Sequence, residues 1–162
     1  MTDSRTDLPG IAPPDLPIPA ELQAAALPNN HASHNDWSAR LEAELGPGIV
    51  PPAEWPAIFA ASSFVAETCR RRPEVLADLL RTGALQTPFA PEDLAKRMTT
   101  ALAEARDEAG LGAALRRLRQ REMLRIAWRD INGAAGLDET LTALTALAER
   151  CLDGALQWLY GH

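Results

Sequence analysis

Leu115 to Ile131 reads LRRLRQREMLRIAWRDI, and shortly after it Gly136 to Cys151 reads GLDETLTALTALAERC. From Leu111 onward, Leu115, Leu118, Glu122, Ile126 and then Trp128 or Arg129 return every three or four residues, the period of one helix face. Glu122 interrupts that face, and a carboxylate among apolar neighbours calls for a cationic partner. In the second stretch, Leu137, Leu141, Leu144, Ala148, Cys151, Ala155 and Trp158 alternate spacings of 4 and 3. That is a heptad-like seam, expected to pack on a neighbouring helix at a shallow angle. Asp138 and Glu139 fall in its first turn, where the helix dipole favours acids. Asn132-Gly133 lies between the two patterns and reads as a connector. The end of the chain is helical.

Moving toward the amino terminus, Pro91-Glu92-Asp93 opens a helix expected to reach about Ala109 and to stop at Gly110 or Gly112. Pro73 opens a shorter one through Arg81, burying Val75, Leu76, Leu79 and Leu80, with Thr82-Gly83 as its stop. Pro51-Pro52 precede a helix from about Ala53 to Arg71, with Pro56 in its first turn. Its stripe is Phe59, Ser63, Ala66 and Cys69, and Arg70, Arg71 and Arg72 gather at its end. No run alternates with period two and no hairpin signal appears. Residues 53–162 therefore predict an all-α fold of about five helices in an irregular bundle.

The first third differs. Nine of the thirteen prolines lie at or before Pro52. Proline lacks the amide donor and clashes with the preceding turn. Residues 1–52 are expected to form a proline-rich, largely disordered arm with at most short helices, one of them near Trp37 to Gly46. Residues 1–50 carry 2 arginines against 7 acids, whereas residues 111–131 carry 6 arginines against 2 acids, within a chain of net charge −6. An acidic whole argues against nucleic-acid binding, which depends on neutralising many phosphates. No apolar stretch is long enough to span a bilayer, and the first residues do not resemble a signal peptide. Two cysteines without a CxxC pair fit a reducing compartment, so the expected location is cytoplasmic.

Arg117, Arg121, Arg125 and Arg129 recur every four residues and form one stripe. Guanidinium forks fit phosphate oxygens and carboxylates. The stripe is thus a candidate face for phosphate, nucleotide or an acidic protein partner. The competing reading is a solvated face, or arginines paired with acids on adjoining helices. His31 and His34 lack the further ligands a metal needs and read as a polar loop, so no metal site is expected. Cys69 lies near Arg70–Arg72, which could lower its pKa, but its place on an apolar face suits a core filler. Asp78, Glu92, Asp93, Asp138 and Glu139 are explained by helix starts or solvated faces. Trp128 and Trp158 read as core anchors. The glycines at 133 and 136 form no phosphate loop. No residue is assigned a catalytic role.

The order LRRLRQREMLRIAWRDI, then GLDETLTALTALAERC, with FVAETCRRRPEVLADLL at Phe64 to Leu80, resembles the N-terminal region of the bifunctional glutamine synthetase adenylyltransferase/adenylyl-removing enzymes. The resemblance covers roughly Trp55 to Tyr160 and leaves the arm outside. It implies a helical segment preceding a nucleotidyltransferase core, in an enzyme that attaches AMP from ATP to glutamine synthetase and removes it with phosphate. It further implies magnesium, glutamine synthetase and a PII signalling protein as partners, and catalytic domains in cis. The family's Gly-Ser-Asp-x-Asp metal signature is missing: the chain has no Gly-Ser pair, and Ser62-Ser63 is followed by Phe64. The expectation is a fragment without the catalytic core, inactive alone. The alternative is a non-enzymatic helical interaction module.

Overall fold

Proline placement and capping side chains divide the chain into six helices among the residues that the computed structural model describes, 43–44 and 52–161. Of the arm only Ala43, Glu44 and Pro52 are described, the first two helical within the short helix expected near Trp37; the rest of the arm, with His31 and His34, and His162 lie outside the described residues. The helices are α1 (Trp55–Ala61), α2 (Ser63–Arg71), α3 (Pro73–Arg81), α4 (Pro91–Ala103), α5 (Glu108–Ile131) and α6 (Leu137–Gly161). No strand occurs among the described residues. The fold is all-α.

The sixth helix arises because the single helix expected from Ala53 to Arg71 is broken at Ser62. That residue is extended (φ −144°, ψ 108°), and its hydroxyl accepts the Val65 amide at 3.3 Å. A serine side chain offers the backbone an alternative to helix continuation. The register restarts, so Val65, Thr68 and Cys69 are buried, whereas Ser63 is exposed and Ala66 half-buried.

A second correction falls between α4 and α5. Helix α4 ends at Ala103, not Ala109, and α5 already includes Gly110 and Gly112. Asp107 caps α5 by accepting the Gly110 amide at 2.7 Å. A satisfied N-cap contributes about 1 kcal/mol, comparable to the roughly 1 kcal/mol that a glycine costs inside a helix.

Helix α5 lies between two apolar clusters. Leu124 and Trp128 join Ile58, Phe59, Val65, Cys69, Leu76 and Leu79 of α1–α3. Leu118 and Ile126 join Leu94 and Met98 of α4 with Ala143 and Leu147 of α6. At the far end Leu111 meets Trp158. Phe59 sits edge-on to Trp128, with ring centroids 6.1 Å apart. Each fully buried large side chain contributes about 1.5–3 kcal/mol.

The terminal seam is rotated from its expected position. Leu137, Leu141 and Ala148 are exposed, and Leu144, Cys151 and Ala155 half-buried. The buried line is instead Ala143, Leu147, Gly154 and Trp158. Helix α6 packs on α4 and α5 together, so small residues take the closest approach. A Cβ on Gly154 would stand 2.9 Å from Met98 Sδ and 3.3 Å from Leu102 Cδ1.

Candidate functional site

Two helix ends prepare the surroundings of the arginine stripe. After α3, Gly83 takes φ +66°, and the Ala84 amide donates back to Leu79 O at 3.0 Å. After α5, Gly133 takes φ +67°, and the Ala134 amide donates to Arg129 O at 2.9 Å. Both are left-handed helix stops, a conformation glycine adopts without a Cβ penalty. They turn the chain so that carbonyls after each helix face α5.

The four arginines share a helix but not an environment. Arg117 is exposed and has no hydrogen bond or ion pair among the described residues. Arg121 donates from Nε to Asp78 Oδ2 and from Nη1 to Glu122 Oε1, each at 2.6 Å. Glu122, buried as its place on the apolar face required, also lies 3.4 Å from Arg97 Nε. The partner expected for this carboxylate is present twice.

Arg125 and Arg129 are buried, and their donors turn to the main chain. Arg125 Nε donates to Ala84 O at 3.0 Å and Nη2 to Thr87 O at 2.7 Å, while the guanidinium lies 6.0 Å from the Phe89 ring centroid. Arg129 Nη1 donates to Leu85 O and Nη2 to Ala134 O, each at 2.9 Å. Glu139 completes the set, accepting Arg129 Nε at 3.0 Å and the Phe89 amide at 2.9 Å. Together they tie the α3–α4 connector, α5 and the start of α6 into one polar knot.

The electrostatics follow from these contacts. Desolvation draws the Arg125 pKa downward, partly offset by the Glu122 carboxylate. The hydrogen bond from Arg129, helped by the Phe89 amide, holds the Glu139 carboxyl below its ordinary range. Burial pushes the Cys69 thiol up to about 12, the reverse of what an activated nucleophile needs.

A crevice of about 80 Å³ opens beside the knot, lined in part by Thr82, Thr87, Phe89, Arg97, Glu122 and Arg125. That is room for a few waters, well short of the roughly 300 Å³ where small-molecule sites begin. The magnesium implied by the resemblance finds no cradle, since no three His, Cys, Asp or Glu side chains converge among the described residues. Nor is any described helix long and apolar enough to cross a membrane. Sequence reasoning missed Glu139, assigned only to a helix start, and the glycines as presenters of carbonyls. The acid's position in the first helical turn after the Asn132-Gly133 connector, six residues past Gly133, was the available signal.

Fold and site thus define an all-α, arginine-tied helical segment. Its sequence matches the profile described as glutamate-ammonia ligase adenylyltransferase over residues 54–162. The chain belongs to that family. It is 49% identical over 105 residues to the bifunctional glutamine synthetase adenylyltransferase/adenylyl-removing enzyme of Thioalkalivibrio sulfidiphilus, covering 65% of this chain and 11% of the relative. The enzyme of the same description from Pseudomonas aeruginosa is 36% identical over 153 residues, covering 90% of this chain and 16% of the relative. The chain thus spans under a fifth of the length of these curated relatives. The Pseudomonas similarity also reaches into the proline-rich third, which the motif resemblance left outside. No solved structure matches the chain.

Proposed function

We propose that residues 53–162 serve as a non-catalytic helical support in an enzyme that adenylylates and deadenylylates glutamine synthetase, thereby controlling nitrogen assimilation. The observation that carries this reading is the polar knot. Two buried arginines are committed to main-chain carbonyls, an arrangement that fixes helix positions and leaves little donor capacity for a substrate. Support for a catalytic core located elsewhere in the polypeptide is the role such a scaffold fits. In this reading magnesium and ATP or phosphate are used by that core, in the cytoplasm, with a PII protein as regulatory partner.

Within the stripe, Arg117 is the member free to meet phosphate or an acidic surface, and Arg121 is the next most accessible. Arg125 and Arg129 act through the fold. A free-standing interaction module, the competing reading, is not favoured by the family match.

The test is release of AMP from adenylylated glutamine synthetase, with magnesium and inorganic phosphate. The purified chain alone is expected to release none. A chimera in which it replaces the matching stretch of the full-length Pseudomonas aeruginosa relative is expected to be active. Arg117→Gln in that chimera should lower turnover at unchanged Tm if Arg117 meets a partner. A folded but inactive wild-type chimera would overturn the proposal.

A further inference from the structure

Helix α6 carries more apolar surface than the other described residues cover. Leu137, Leu141, Leu152 and Leu159 are 71, 53, 67 and 49% exposed, and Leu156 and Tyr160 add to the same outer side. With Ala148, the first four recur at spacings of 4, 7, 4 and 7, an 11-residue repeat that keeps to one helix face for about 33 Å at 1.5 Å per residue. At 100° per residue this line stands roughly a third of a turn from the buried line through Ala143, Leu147, Gly154 and Trp158. Isolated exposed leucines are ordinary, whereas a continuous line of them marks an interaction surface.

The line has charged edges. On the α5 side lie the exposed Arg116 and Arg119, the latter close enough to lower the pKa of the Cys151 thiol against the effect of burial. On the other side Asp138, Glu149 and Asp153 are exposed. None of these five makes an ion pair among the described residues. A helix with an apolar face, carboxylates toward Arg116 and Arg119 and cations toward Glu149 and Asp153 would satisfy both edges.

We infer that the outer face of α6 is the docking surface for an amphipathic helix supplied in cis by the longer polypeptide of this family. This rests on the scaffold reading above. The source follows from the lengths. The family profile covers the whole of α6, yet the matched stretch is only 11–16% of the relatives, so most of each relative is available to cover the line.

The experiment compares the complete 162-residue chain with the Pseudomonas chimera, both carrying Leu152→Cys in a Cys151→Ala background. A thiol reagent should label the free chain rapidly and the chimera at least about tenfold more slowly, as expected of a covered site. Equal rates would overturn the inference. So would a concentration-dependent dimer of the free chain that Leu141→Asp/Leu152→Asp dissolves, because a second copy would then be the occupant. The aspartate pair should leave the Tm of the free chain unchanged and lower that of the chimera, and the milder L141Q/L152Q pair should do so less. Loss of Tm in the free chain would place the line in its own core and reject the inference. Labelling and Tm are read independently of AMP release, so failure of the enzymatic reading is distinguishable from failure of this one.

Discussion

Arg129 and Glu139, ten residues apart, meet fork to fork across the α5–α6 turn, with Nε to Oε1 at 3.0 Å and Nη2 to Oε2 at 3.2 Å. The arginine side chain is only 3% exposed and the carboxylate 25%. A guanidinium so enclosed cannot recover water if its acid is removed. Glu139→Ala should therefore cost about 2–3 kcal/mol, near the lower end for breaking a buried pair because the acid is partly solvated. Thermal or urea unfolding would measure it, and a loss below about 0.5 kcal/mol would contradict the arrangement.

The same pair sets an acid dependence. Glu139 titrates below the ordinary 4.5 in the folded state, chiefly through the Arg129 hydrogen bond. Its contribution is then complete above that ordinary value and is lost as pH falls through the lowered folded value. Stability should drop on the acid side of about 4.5, and Glu139→Gln should flatten that part of the curve. Urea midpoints across pH 3–7, roughly spanning that window, provide the check.

Gly83 and Gly133 hold φ +66° and +67°, with open space around a would-be Cβ. Replacing either with alanine should cost about 1–2 kcal/mol from backbone conformation alone. Asparagine, which tolerates the left-handed region better, should cost less. The ranking Gly, Asn, Ala in Tm at both positions is the expected result.

Asp107→Ala removes the acceptor of the Gly110 amide and should destabilise by about 1 kcal/mol. Hydrogen exchange should quicken in the first turn of α5 and stay unchanged near Trp128, some five turns away.

Much of this was legible beforehand. Pro73 and Pro91 open helices because a ring at the first position forfeits no helical hydrogen bond. Gly83 closes one, and Glu122 could be seen to need a cation. The break at Ser62 escaped notice because a hydroxyl that caps and one that merely faces solvent look alike in sequence. The rotation of α6 escaped for another reason. Its apolar arc is wide enough to offer two lines, and only the packing of α4 and α5 selects one. The arginine stripe was visible as a pattern, but its main-chain acceptors, Ala84 O, Leu85 O, Thr87 O and Ala134 O, carry no side-chain signature.

Because α5 furnishes one wall to each apolar cluster, neither cluster can be dismantled while the other stands. A protease cut in the short passage between α4 and α5 would not release two surviving halves, since the piece carrying α1–α4 would lose the wall shared by both. Denaturation of these 110 residues should accordingly be a single event at every probe, from the Trp128 side to the Trp158 end.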